Sequence, residues 1–288
     1  MKANFAKILC PIDFSDSSLH ALDESAKLAR RHDALLFVMH VQFVPLGNPA
    51  RVGHYVAVTP EPAKAQLEHI ALQRLANVRH KLLVKSGRPA ELIEDTAEEL
   101  DVDLIAMATS GRTGVENLLL GSVAGHVVRA SKRPVLTFTA GSSLGEMKKI
   151  LCPVDFDPNS LAALEFGALL AQECNATMTL FHVVPVIIEP LKIATEPDER
   201  EWEERRREKL QELAEETGRR AECRVVTRWG DPANGVLEAA RELRPDLIVM
   251  ATHGRKGLSR VALGSVAERV VRESPVPVLT VRGGAKPG

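Results

Sequence analysis

Ile8-Leu-Cys-Pro-Ile-Asp-Phe14 returns 142 residues later as Ile150-Leu-Cys-Pro-Val-Asp-Phe156. Phe37-Val-Met-His-Val41 matches Leu180-Phe-His-Val183 on its histidine, and His40 to His182 is again 142. Ser86-Gly-Arg-Pro-Ala90 matches Trp229-Gly-Asp-Pro-Ala233 at 143. Met107-Ala-Thr-Ser-Gly-Arg-Thr-Gly114 matches Met250-Ala-Thr-His-Gly-Arg-Lys-Gly257, also at 143. One residue is therefore inserted between His182 and Gly230. So small a drift makes the chain a tandem duplication whose period is domain-sized, not the 20–50 residues of a solenoid. Residues 1–140 and 148–283 are read as two copies, each able to bury its own core. The seam, Thr139-Ala-Gly-Ser-Ser-Leu-Gly-Glu-Met147, is small and Gly/Ser-rich, and 141–147 is read as a linker.

Within a copy, apolar runs alternate with helical periodicity. Lys7–Pro11 reads as a buried strand. Ser15 or Asp16 then caps a helix with Leu19, Leu22, Ala26 and Ala29 on one face. Ala34–Val41 is a second strand and 45–62 a long loop. A helix with the stripe Leu67, Ile70, Leu75 and Val78 follows. Leu82–Lys85 is strand three, Pro89–Leu100 a helix with proline in its first turn, and Asp103–Ala108 strand four. A helix starts near Ser122, and Pro134–Phe138 is strand five. Strands alternating with helices predict a parallel sheet covered on both faces, an α/β doubly wound domain of five strands, twice over.

The 288 residues carry Lys+Arg 37 and Asp+Glu 38, a net charge of -1, so DNA and RNA are not expected partners. No apolar run approaches the roughly 18 residues of a membrane helix, and Met1–Lys7 runs straight into a strand without a secretory signal. Four cysteines (Cys10, Cys152, Cys174, Cys223) show neither CxxC nor metal spacing. Reduced thiols, a cytoplasmic location and no metal ligands are expected.

Open parallel sheets bind ligands beyond the carboxyl ends of the strands, where strand order reverses. Asp13 and Asp155 stand at the end of strand one, placed either to accept hydrogen bonds from a ligand or to help cap their own helix. Ser15 in one copy is Asp157 in the other while the aspartate stays, which tilts the reading toward a ligand. Strand four runs into Gly111, then nine residues, then Gly121-Ser122-Val123-Ala124. The second copy has Gly254, nine residues, and Gly264-Ser265-Val266-Ala267. Glycine followed by a helix start offers unpaired amides at the positive end of a helix dipole, which is a phosphate cradle. A plain glycine hinge with a serine cap is the alternative.

Taken together, Ile-Leu-x-Pro-x-Asp-Phe, the His-Val strand end, Met-Ala-Thr-(Ser/His)-Gly-Arg-x-Gly, Leu-Gly-Ser-Val-Ala and Pro-Val-Leu-Thr resemble the universal stress protein family. The likeness spans nearly the whole chain, twice. It implies two tandem Rossmann-like domains of the adenine nucleotide α-hydrolase-like type, each binding ATP with Mg2+. Adenine would lie near Asp13 and Val41, or Asp155 and Val183. The phosphates would lie on Gly111, Gly121, Ser122 and Val123, or on Gly254, Gly264, Ser265 and Val266. The family's first motif glycine is Ala108 here and Ala251 in the second copy, where a methyl would either crowd the ligand or be harmless at negative φ. In the family the edge strand forms dimers. Pro134–Phe138 and Pro277–Val281 would then pair the two copies as an internal pseudo-dimer, with a homodimer open besides.

Arg112 and Arg255 follow the loop glycine, where they either neutralise phosphate or stand solvated. His40 and His182 read as hydrogen-bonded core histidines, Cys10 and Cys152 as small core hydrophobes. Glu196–Lys209 reads as a solvated helix face, with Glu201/Arg205 and Glu203/Arg207 four apart. No Gly-x-x-x-x-Gly-Lys-Ser/Thr loop and no recurring general base are present, so neither an enzyme nor a catalytic residue is expected; what the resemblance implies is a nucleotide-dependent regulatory or stress-response module with an unknown protein partner. A stress-related protein-interaction module with degenerate, empty sites is the alternative.

Overall fold

The structure is a computed structural model that describes residues 5–43, 60–111, 120–184, 199–252 and 263–282. It divides into two compact units, one of Asn4–Ala140, the other of Gly141–Gly288 with Met1–Ala3.

In the first unit β1 (Lys7–Ile12), α1 (Asp16–His32), β2 (Leu35–Phe43), α2 (Glu61–Arg74), β3 (His80–Gly87), α3 (Pro89–Glu99), β4 (Leu104–Ala108), α4 (Ser122–Ala130) and β5 (Val135–Phe138) follow one another. The strand order is β3-β2-β1-β4-β5, parallel throughout. The chain first winds outward from β1 to β3, then crosses back to β4 and β5. Right-handed crossovers in opposite directions put α1 and α2 on one face and α3 and α4 on the other. α1 packs on β1, β2, β4 and β5, while α3 packs beside α4. The doubly wound α/β reading holds.

The second unit repeats this with β6 (Lys149–Pro153), α5 (Pro158–Cys174), β7 (Thr177–Val184), α6 (Glu199–Gly218), β8 (Cys223–Trp229), α7 (Pro232–Leu243), β9 (Leu247–Ala251), α8 (Ser265–Glu273) and β10 (Val278–Val281). Its order is β10-β9-β6-β7-β8, again parallel. Strands β4, β5, β9 and β10 are buried at every residue, as strands covered on both faces must be.

Some local expectations are corrected. Glu61 and Pro62 open α2 instead of closing a loop, because proline fits the first helical turn. Leu75 and Val78 lie past the end of α2, yet both are buried, so the apolar stripe runs on beyond the helix that carries it. Ser15, not Asp16, is the cap of α1, accepting from the Ser18 amide. The segment joining the copies is packed: Ser142, Leu144 and Met147 are buried, and Asp246 accepts from the Lys148 and Lys149 amides at 2.7 and 3.0 Å. Gly145 abuts the Asp246 carboxylate, and a Cβ there would overlap it.

Cys10 and Cys152 are fully buried, and desolvation pushes each thiol up to about 12; Cys223, half-buried, is pushed to about 11. The folded thiols hold their protons where unfolded ones ionise. Their contribution is therefore whole below the ordinary thiol range and is lost as pH climbs toward 12. In the native protein at pH 8, Cys10 and Cys152 are expected to resist iodoacetamide until denaturant is added, as peptide mass spectrometry would read. Rapid native alkylation of either would contradict the packing.

Candidate functional site

The crevice begins with a proline. Asp103 donates its amide to Lys7 O and Leu35 donates to Ala6 O, so Lys7, Leu9 and Pro11 turn their peptide groups toward β4. Pro11 has no N–H to give, and the β1–β4 ladder stops at Leu9↔Ile105 although β4 runs on to Ala108. The second unit does the same. Asp246 donates to Lys149 O, so Pro153 faces β9, and the β6–β9 ladder ends at Leu151↔Ile248. The two central strands part where the strand order reverses, and the duplicated proline makes the gap.

Asp13 and Asp155 stand at the lip. In each copy the next residue is a phenylalanine in the left-handed region, Phe14 at φ 68° and Phe156 at φ 64°. A bulky residue there is strained by about 1–3 kcal/mol and needs surroundings that hold it. The rings lie against His40 and His182, centroids 4.2 and 4.8 Å away. Those imidazoles are tied through Nδ1 to the carbonyls of Ile12 and Val154 at 2.9 and 2.6 Å. Ser18 and Ser160 finish the turn: each buried hydroxyl accepts from the aspartate amide at 3.3 Å and donates to a carbonyl at 2.9 Å. Sequence reading placed the histidines in the core and missed Ser18, Ser160 and the phenylalanines. Their repetition at fixed spacing was the available signal.

Of the two roles weighed for the aspartates, the local one is visible. Asp13 Oδ1 accepts from the Ser15 amide at 3.0 Å and its hydroxyl at 2.5 Å, and Asp155 Oδ1 accepts from the Asp157 amide at 3.0 Å. One oxygen thus shapes the turn. The other oxygen of Asp13 lies where a Gly111 side chain would begin, and a Cβ there would overlap it. Asp13 and Gly111 are thereby brought together across the crevice.

The far wall is the start of α4. Gly121 is its N-cap and donates its amide to Thr109 O at 2.8 Å; Gly264 caps α8 and donates to Thr252 O at 2.9 Å. Neither glycine supplies a side chain, so neither helix has the capping hydrogen bond that Ser15 gives α1 and Asp157 gives α5. The first-turn amides of Ser122, Val123 and Ala124, and of Ser265, Val266 and Ala267, lie within that uncapped turn. Ser122 and Ser265 are exposed first residues of their helices, while Val123 and Val266 are half-buried. A Cβ on Gly121 would lie 3.1 Å from Thr109 O, so the turn closes only on glycine without adjustment.

Val41 and Val183 are not the last residues of their strands, which run on to Phe43 and Val184. Strand alternation nevertheless turns their peptide groups toward β1 and β6, past the last ladder partners His40 and Phe181. Ala108 and Ala251 end β4 and β9, buried, in register with Phe138 and Val281. Neither has positive φ, so the methyl costs the backbone nothing. Arg112, Gly254 and Arg255 lie outside the described residues.

The helix expected to be a solvated charged face does more. α6 places Arg206 and Lys209 over the Phe156 ring, 5.5 and 5.1 Å from its centroid. Its pairs Glu201/Arg205 and Glu203/Arg207 involve side chains outside the described residues. Among the described residues no helix is long and apolar enough to cross a membrane.

Replacing Asp13 and Asp155 by asparagine keeps the oxygen that shapes the turn and removes the charge. Thermal midpoints within about 2 °C of wild type are expected, because asparagine still accepts from the turn amides. Alanine removes both functions and is expected to cost about 1 kcal/mol per unit in urea unfolding. Equal destabilisation by both substitutions would mean the carboxylate charge itself holds the turn.

The model of the universal stress protein family matches residues 4–138 and again 146–282. A universal stress protein of Methanocaldococcus jannaschii is 35% identical over 145 residues, 47% of this chain and 82% of that protein. One from Mycolicibacterium smegmatis is 26% identical over 301 residues, covering 96% of both. The crystal structure of a universal stress protein from Archaeoglobus fulgidus superposes with a TM-score of 0.75 at 24% identity, over 97% of this chain and 99% of that one. With the family model matched twice, onto the two halves that carry the crevices, the chain belongs to the universal stress protein family as a tandem two-domain member.

Proposed function

We propose that each half binds an adenine nucleotide, ATP in its magnesium complex, and that occupancy regulates the protein's interactions in a stress response. The observation that carries this is the pairing, in both copies, of a glycine-capped helix start with an aspartate across the gap that Pro11 and Pro153 open. The amides of Ser122 and Val123, or Ser265 and Val266, suit a phosphate group. Asp13 and Asp155 suit an N–H or O–H donor at the other end of the ligand, and the carbonyls of Val41 and Val183 stand beside them. Gly111 and Gly254 complete the phosphate side as the family resemblance implies, and Arg112 and Arg255, next in sequence, supply charge to neutralise it. Ala108 and Ala251 sit in extended backbone, where a methyl adds no strain.

The chain acts as a binder. Magnesium would arrive with the phosphates and keep several of its waters, as that ion ordinarily does. Phosphoryl transfer needs a base or positioned water beside the phosphate. His253, beside the first loop glycine of the second copy, is Ser110 in the first, so the copies share no such group.

Magnesium-ATP at about 100 times its Kd is expected to stabilise a binding unit by about 2.7 kcal/mol, seen as a rise in thermal midpoint. Native mass spectrometry should find adenine nucleotide on the purified protein. No thermal shift with millimolar magnesium-ATP would sink the nucleotide reading and favour an interaction module with empty sites. Phosphate release above one turnover per minute would overturn the assignment as a binder.

A further inference from the structure

We propose that His40 and His182 are positioning residues of the two crevices, each imidazole setting the place of the aspartate and valine carbonyl that would receive the non-phosphate end of the ligand. The proposal rests on the nucleotide reading and adds to it a side chain that acts through others. In each copy one buried imidazole grips the residues on both sides of the aspartate. Its Nδ1–H donates to the carbonyl of the residue before, Ile12 or Val154, at 2.9 or 2.6 Å. Its ring lies against that of the residue after, Phe14 or Phe156, with centroids 4.2 or 4.8 Å apart. The next residue along the chain from each histidine is Val41 or Val183, so the same stretch of strand carries the second ligand contact. One side chain thereby fixes how carboxylate and carbonyl stand to each other.

The left-handed phenylalanines are the reason to read this as more than packing. Glycine would hold φ 68° or 64° without strain, yet phenylalanine takes that backbone in both copies. What it adds over glycine is a ring, and the ring meets the imidazole. Between these two grips, Asp13 and Asp155 give their own amides to Ser18 and Ser160 at 3.3 Å. The turn is thus tied at three successive residues. A recognition group already in place when its ligand arrives loses little freedom on binding, and one displaced by about an ångström forfeits its hydrogen bond.

The test is a double-mutant comparison on the full chain, by titration calorimetry with magnesium-ATP. His40→Phe with His182→Phe keeps a ring against each phenylalanine and removes the donor, and affinity is expected to fall about tenfold. Asp13→Asn with Asp155→Asn is expected to cost about as much. All four substitutions together should cost little more than either pair, because a displaced aspartate has no contact left to lose. His40→Asn with His182→Asn keeps a donor in the place of Nδ1 and should return affinity to within about threefold of wild type. Phe14→Gly with Phe156→Gly frees the turn of strain and removes the ring, and about a tenfold loss is expected there too, which reads the grip even if the His40→Phe chain fails to fold. Losses that add to about a hundredfold, or unchanged ATP affinity in either the His40→Phe or the Phe14→Gly chain, overturn the proposal and leave the histidines as core packing. A wild-type chain that does not bind magnesium-ATP defeats the nucleotide reading itself, a result distinct from these.

Discussion

A chain carrying both Gly121→Val and Gly264→Val is expected to lose ATP binding by at least about a hundredfold while remaining folded. Each glycine has φ and ψ that any residue adopts, Gly121 at −56° and 143°, Gly264 at −61° and 138°, so the substitution stores no backbone strain. The obstacle is space and access. At Gly121 the new Cβ comes within 3.1 Å of Thr109 O, and that carbonyl is held by the Gly121 amide itself at 2.8 Å. A branched side chain must push the helix start away from β4 and lie across the first-turn amides, where a bound phosphate would need them. About two or three charge-assisted hydrogen bonds, each worth about 1.5–3 kcal/mol, disappear together. Circular dichroism should be unchanged and the thermal midpoint lowered by only a few degrees, because no core volume is altered. Unchanged ATP affinity in calorimetry would refute the cradle.

Leu9→Ala should be the most damaging single substitution for stability among those considered. Leu9 is fully buried in the strand that pairs on both sides, with β2 and with β4. Removing its isobutyl group costs about 2–5 kcal/mol, set by how far the packed layers can close over the void. In a unit of this size that lowers the thermal midpoint by about 10 °C. Leu72→Ala is the control: the side chain is 83% exposed, and a change within about 0.5 kcal/mol is expected. Urea unfolding followed at constant slope reads both. A loss below about 1 kcal/mol at Leu9 would mean that β1 is not central to the first unit.

The alternation of strand and helix, and hence the doubly wound units, was legible because both periods are local. Apolar runs of strand length and stripes of period 3.6 declare themselves within a dozen residues. The same holds for Gly121 and Gly264, whose placement before a helix follows from neighbours in the chain. The duplication sharpened every such reading, since a feature written twice at fixed spacing is unlike a chance match.

What the sequence by itself determined, then, was which residues stand at strand ends and helix starts: Asp13, Gly121, Asp155 and Gly264. The tertiary structure decided which way they face and what meets them. That Pro11 turns its missing N–H toward β4 and not β2 depends on strand register, which no local pattern records. Phe14 and Phe156 take a left-handed backbone because His40 and His182 reach across from the next strand to hold their rings. Arg206 and Lys209 read as solvent charges until α6 is laid over Phe156, some 50 residues away along the chain. Periodicity reports a residue's distance from water; only the packing of distant segments fixes its partner.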